Sequence, residues 1–186
     1  MLKIAITGNI ASGKSQVERF LSKSYPVYDT DKMTHEILDK LDGFYSYDVL
    51  TDGKIDRKKL GELVFLNTEA RKQLEAFIHP IVRKRVLEIF DKHENDKAVF
   101  VSVPLLFEAG FEELFDVIVL ITTDEATRIK RLMSRSDLTR DEAVRRIRAQ
   151  MDETKKIPKS DFVISNNSTL ENLNARVADI LKQLGL

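Results

Sequence analysis

Gly8-Asn9-Ile10-Ala11-Ser12-Gly13-Lys14-Ser15 decides the fold, because it satisfies G-x-x-x-x-G-K-[ST] between a strand-like run and a helix-like one. Upstream, Leu2–Thr7 is continuously apolar apart from Lys3. Downstream, Val17, Phe20 and Leu21 share one helical face, and Tyr25-Pro26 bounds the helix. Glycines let such a loop wrap, so that successive backbone N–H groups converge on a phosphate at a positively polarised helix N-terminus. Gly8 through Ser15, with Gln16 behind them, are therefore the candidate nucleotide-binding residues. Lys14 would bridge the β- and γ-phosphates, and the Ser15 hydroxyl would face Mg²⁺.

Working outward, Pro26–Tyr28, Ala98–Val103, Val117–Thr122 and Phe162–Ile164 are further short strand-like runs separated by 3.6-periodic segments. Such alternation predicts an α/β sandwich, three layers around a five-stranded parallel sheet. Thr139 with Glu142, and Ser168 with Glu171, are spaced as capping boxes, so helices should begin after each. In the last helix, Leu170, Leu173, Val177, Ile180, Leu181 and Leu184 form the expected buried stripe. The spacing divides the chain into a nucleotide-binding core (1–31, 97–127 and 160–186), a helical insertion (32–96) and an arginine-rich excursion (128–159).

Composition narrows the function. With 186 residues, one core is expected. The 30 basic side chains balance the 30 acidic ones, so no net field draws the chain to nucleic acid, and an anion site must be local. No cysteine is present, which excludes disulfides and thiolate chemistry. No apolar run approaches the roughly 20 residues of a membrane span, and the start lacks a secretory leader pattern, so a cytoplasmic location without membrane partners is expected.

The loop alone fits switches, motors and kinases. Neither Asn-Lys-x-Asp nor the Asp-x-x-Gly of a GTPase occurs, and Ala98–Val103 ends in Pro104 rather than in the acidic pair of a motor. A kinase needs a group near the γ-phosphate that accepts the acceptor's proton. Asp29 and Asp31 follow the second strand and fit that need, although Asp31 reads equally as the N-cap of a helix starting at Lys32. Arg128, Arg131 and Arg135 recur at i, i+3 and i+7, either a lid that clamps the triphosphate or a solvated basic face.

These residues resemble the dephospho-CoA kinase family in several ordered blocks. Besides the loop, they are Val27-Tyr28-Asp29-Thr30-Asp31, then Asp52-Gly53 with Arg57 and Leu60 leading to Val64-Phe65, then Leu74-Glu75 with His79-Pro80. Val103-Pro104-Leu105-Leu106-Phe107-Glu108, Arg148-Ala149-Gln150 and Asp161–Asn166 complete the series. The resemblance implies a P-loop kinase that moves the γ-phosphoryl of ATP to the ribose 3′-hydroxyl of dephospho-CoA, as a monomer or small homo-oligomer. It implies Asp31 as general base, Asp29 as an aid through Mg²⁺, and Arg135 as the transition-state arginine. Arg57, His79, Leu106 and Glu108 would meet the acceptor, and Asn166 would lie near adenine. His79 otherwise reads as a packed or capping residue, and Pro80 as a helix start. The segment between Asp31 and Asp52 is shorter than the family's. Other readings of the chain are a kinase for another small alcohol, such as a nucleoside monophosphate, and a regulatory nucleotide-binding protein.

Overall fold

The computed structural model describes residues 1–39, 49–51 and 54–186. The chain divides into two compact units, one of Met1–Asp29 with Phe90–Leu186, the other Thr30–Ile89. The excursion at 128–159 falls within the first unit.

That unit is built on five strands, β1 (Leu2–Thr7), β2 (Val27–Asp29), β5 (Ala98–Ser102), β6 (Val117–Thr122) and β7 (Phe162–Ser165). They lie parallel in the order β2-β5-β1-β6-β7. Every residue of β5 is buried, as expected where helices cover both faces of a parallel sheet. The expected strands are present with edges moved by a residue. Pro26 has no N–H to give and stays outside β2, which gains Asp29. Val103 donates its N–H to Ile6 O but lies beyond β5, and β7 extends to Ser165.

Helix α1 (Lys14–Leu21) buries Val17 and Leu21 in the core with Ile4, Ile6, Phe100, Ile121 and Ile164, and Phe20 packs at the edge of that cluster. Helix α5 (Glu125–Ser136) follows β6 at once, and Asp137, at φ 50°, turns the chain towards α6 (Arg140–Arg148). The capping box at Thr139 and Glu142 is fully formed. A short α7 (Glu153–Lys156) leads to β7. Helix α8 (Leu170–Gln183) is capped by Thr169, not by the expected Ser168, and the Thr169 hydroxyl accepts from the Asn172 N–H. Leu170 also departs from the expected stripe. It is exposed, while Leu173 and Val177 enter the core and Ile180, Leu181 and Leu184 pack against it.

The second unit holds α2 (Thr30–Leu38), a two-residue ladder of β3 (Leu50–Thr51) with β4 (Lys54–Ile55), α3 (Arg57–Leu66) and most of α4 (Thr68–Lys92). Helix α2 begins at Thr30, so Asp31 lies inside its first turn and is not the N-cap. Asp56 caps α3 through the N–H groups of Lys58 and Lys59. Pro80 does not open a helix; it sits inside α4, which runs through it although the ring can give no N–H to the turn before. Residues 40–48, part of the segment between Asp31 and Asp52 expected to be short, and the Asp52-Gly53 pair lie outside the described residues.

Candidate active site

Ligands of open α/β sheets bind beyond the carboxyl ends of the strands, where successive connections depart to opposite sides. Here β1 leads towards the β2 edge and β6 towards β7, and the two are neighbours, with Thr7 paired to Leu120. Gly8 to Ser15 leaves β1 at that switch point.

The loop's backbone shows how it is shaped. Ala11 adopts φ 61° and Gly13, the N-cap of α1, φ 100°. A Cβ at Gly13 would overlap Asn166 Nδ2. Lys14 Nζ donates to Gly8 O at 2.6 Å, a bond that curls the lysine back over its own loop. Ser15, in the first turn of α1, is exposed, and Gln16 donates its N–H to Gly13 O.

Further donors brace the loop from behind. Asn166 Nδ2 gives a 2.8 Å bond to Ser12 O, and Arg131 Nη1 reaches Ala11 O at 3.1 Å and Ser12 O at 3.4 Å. Arg131 Nη2 donates to Asn166 O at 3.1 Å. From the α6 end, Gln150 Oε1 accepts from the Ile10 N–H at 2.6 Å, and Asn9 Nδ2 donates to Met151 O. Ile10 and Ala11 also pack on Ile129, Leu132, Ala143 and Ile147, the apolar seam between α5 and α6.

The three-arginine face therefore separates into different roles. Arg128 is buried, 3.5 Å from Glu153, whose carboxyl is pushed above its ordinary value by burial although Arg128 opposes the shift. Arg131 is engaged with the loop's carbonyls. Arg135, in the last turn of α5, is exposed. The expected shared clamp is not what the structure shows, because Arg128 is buried beside Glu153 and Arg131 is engaged with the loop, which leaves Arg135 exposed.

Sheet register places Asp29 on the same edge as the loop. Asp29 pairs with Ser102, and Ser102 with Ile6. Two strand spacings, about 9–10 Å, then separate Asp29 from the strand that feeds the loop. Asp31 is exposed in the first turn of α2, and His79 is half-buried in α4. Arg57 opens α3, and its side chain lies outside the described residues. Leu106 is 0% exposed and presents no side-chain surface in this structure.

Glu108 is held by partners that the sequence did not announce. Its Oε1 accepts from Lys156 Nζ at 2.8 Å and from the Met151 N–H at 3.2 Å. The Lys156 side chain is completely buried. Nothing separates Lys156 from Lys155 in sequence, and only the fold chooses which of them turns inward.

Comparison with known proteins gives this geometry its lineage. The sequence profile of the dephospho-CoA kinase family matches residues 2–172. The chain belongs to the dephospho-CoA kinase family. The dephospho-CoA kinase of Helicobacter pylori is 36% identical, covering 97% of this chain and 96% of that one. A solved dephospho-CoA kinase from Campylobacter jejuni superposes with a TM-score of 0.71 at 34% identity, covering 98% and 96%. A shikimate kinase from Acinetobacter baumannii, 12% identical with a TM-score of 0.61 over 99% and 93%, shares the fold. The chain is thus a kinase of the P-loop fold with a nucleotide substrate. No helix among the described residues is long and apolar enough to cross a membrane.

Proposed function

We propose that this family member transfers the γ-phosphoryl of ATP to the ribose 3′-hydroxyl of dephospho-CoA, giving CoA and ADP by direct in-line displacement. The observation that carries the reading is the braced loop from Gly8 to Ser15 at the end of β1, on the sheet edge that also bears Asp29. In-line transfer leaves little covalent chemistry to the protein, so positioning and charge stabilisation do the catalysis.

Lys14 exchanges its bond to Gly8 O for phosphate oxygens. The loop from Gly8 to Ser15 holds the β-phosphate, with the Ile10 N–H kept by Gln150 and the Ser12 N–H by Asn9 O, and Gln16 supports the first turn. Asp31 aligns the 3′-hydroxyl and takes its proton, which leaves the attacking oxygen free to bond phosphorus as ADP departs. Arg135 offers its guanidinium to the charge that shifts in transit. Arg57 pairs with an acceptor phosphate, and His79 contributes to the acceptor side. Glu108, locked by Lys156, presents its remaining oxygen to acceptor hydroxyls. Asn166 serves the nucleotide through the loop it braces.

The donor set fits Mg²⁺. Among the described residues no group of three His, Cys, Asp or Glu side chains could hold a metal, whereas Ser15 and Asp29 are single hard oxygen donors. That suits an ion carried mainly by phosphates and water. When bound, it neutralises phosphate charge.

An ADP-release assay with ATP, Mg²⁺ and dephospho-CoA, followed by location of the new phosphate, tests the reading. Acceptor-dependent ADP release with phosphate at the ribose 3′ position is expected. Phosphate at another position, or ADP release that ignores the acceptor, would overturn it.

A further inference from the structure

A planar trans peptide points its C=O and its N–H in opposite directions. Whatever holds the carbonyl of one residue therefore aims the N–H of the next. In this loop, the Ser12 carbonyl accepts from Asn166 Nδ2 at 2.8 Å and lies 3.4 Å from Arg131 Nη1. Thr123 Oγ1 lies 3.0 Å from the same oxygen and can place its single proton there or on Thr122 O. The Ala11 carbonyl accepts from Arg131 Nη1 at 3.1 Å. Arg131 Nη2 and the Asn166 carbonyl then close the ring at 3.1 Å.

We propose that Arg131 and Asn166, with Thr123, are positioning residues: they grip the Ala11 and Ser12 carbonyls so that the Ser12 N–H closes on Asn9 O within the loop and the Gly13 N–H faces the nucleotide's phosphates. This rests on reading the loop as a phosphate cradle and is independent of which acceptor the kinase uses. All three grips come from the β6–β7 side of the sheet. Asn166 and Thr123 are buried, so their donors are shielded from water. The conformation being held is one the chain resists, since Ala11 at φ 61° is a non-glycine residue in the left-handed region. Gly13 is fitted to the grip, because a side chain there would displace the Asn166 amide. An arginine on this face thus serves the reaction without touching ATP, through backbone that does.

The test uses the full chain and two independent variants. Arg131→Lys keeps the charge but loses the fork that spans two carbonyls and Asn166 O. Asn166→Ala removes the donor to Ser12 O. The ligands are ATP and inorganic pyrophosphate, titrated by calorimetry, with the Gly13 amide followed by ¹H–¹⁵N NMR. Each variant should weaken ATP and pyrophosphate by the same factor, about 10- to 100-fold, the worth of one charge-assisted bond. The Gly13 amide shift that pyrophosphate induces in the parent should shrink, and the KM for dephospho-CoA should stay put. If one variant does not fold, the other carries the test alone. Pyrophosphate binding within twofold of the parent would overturn the proposal. So would a loss confined to ATP, since that would make these residues adenine contacts.

Discussion

Replacing Lys156 by Met retains the buried aliphatic stem and deletes the ammonium that grips Glu108. The Lys156 side chain is 0% exposed, and its Nζ lies 2.8 Å from Glu108 Oε1. Removing one partner of a fully buried pair costs about 3–5 kcal/mol, because the other charge is left uncompensated. Glu108 softens this: its side chain is 23% exposed and its Oε1 still receives the Met151 N–H. Water and that amide recover part of the loss, which leaves about 2–3 kcal/mol. In a chain of this size that lowers the melting temperature by about 4–12 °C. Urea unfolding followed by far-ultraviolet circular dichroism gives the free energy directly. Adding Glu108→Leu to Lys156→Met should restore part of the stability, since two apolar groups can fill the site without a stranded charge. The same lesion should raise the KM for ATP, because Met151 O and Gln150 Oε1 hold Asn9 and Ile10 of the loop. A loss below about 0.5 kcal/mol, or a double variant no better than the sum of the singles, would refute the reasoning.

Asp31→Asn should lower turnover about 10²–10⁴-fold with ATP affinity retained; near-parental turnover in single-turnover kinetics would remove Asp31 from the chemistry. Gly13→Ala should combine left-handed strain of about 1–2 kcal/mol with the displaced Asn166 amide, about 1–3 kcal/mol more, and largely abolish ATP binding by calorimetry. Unfolding measured from about pH 5 to pH 3 should show stability falling with pH. Asp56, Asp124, Asp152, Glu142 and Glu171 accept hydrogen bonds from helix first turns or their capping residues, which hold them below the ordinary 3.8 or 4.5. The unfolded chain therefore binds protons first, and the stability these groups contribute above their ordinary values is lost as they protonate. Glu153, raised by burial, acts in the opposite sense, its contribution greatest at low pH and lost as pH climbs through its raised value. A stability that is flat or rising on acidification would contradict the dominance of the caps.

The sheet was legible because buried parallel strands read as unbroken β-branched runs, and Val117–Thr122 could be bounded from its neighbours alone. The phosphate loop was legible because its chemistry demands glycines and lysine at a fixed local spacing. What brackets it was not. Arg131 looked like one of three equivalent arginines, since helical periodicity says which residues share a face but not what that face meets. Its partners are main-chain carbonyls, which have no sequence signature. Lys156 was opaque for a similar reason. Asn166 stood in the family resemblance as a neighbour of adenine, and its bond to Ser12 O had no signal in the sequence. Asp31 was open to two readings, and the start of α2 at Thr30 removed the capping one.

The bond between Ser12 and Asn166 joins residues 154 positions apart. The glycine-rich segment leaves the ribosome long before the amide that braces it. At about 5–20 residues per second, the nascent protein spends roughly 8–30 s with the letters of a nucleotide site and without that amide. If Asn166 positions the loop as proposed, full affinity for ATP waits for β7, and a chain cut short before residue 166 carries the motif without one of its braces.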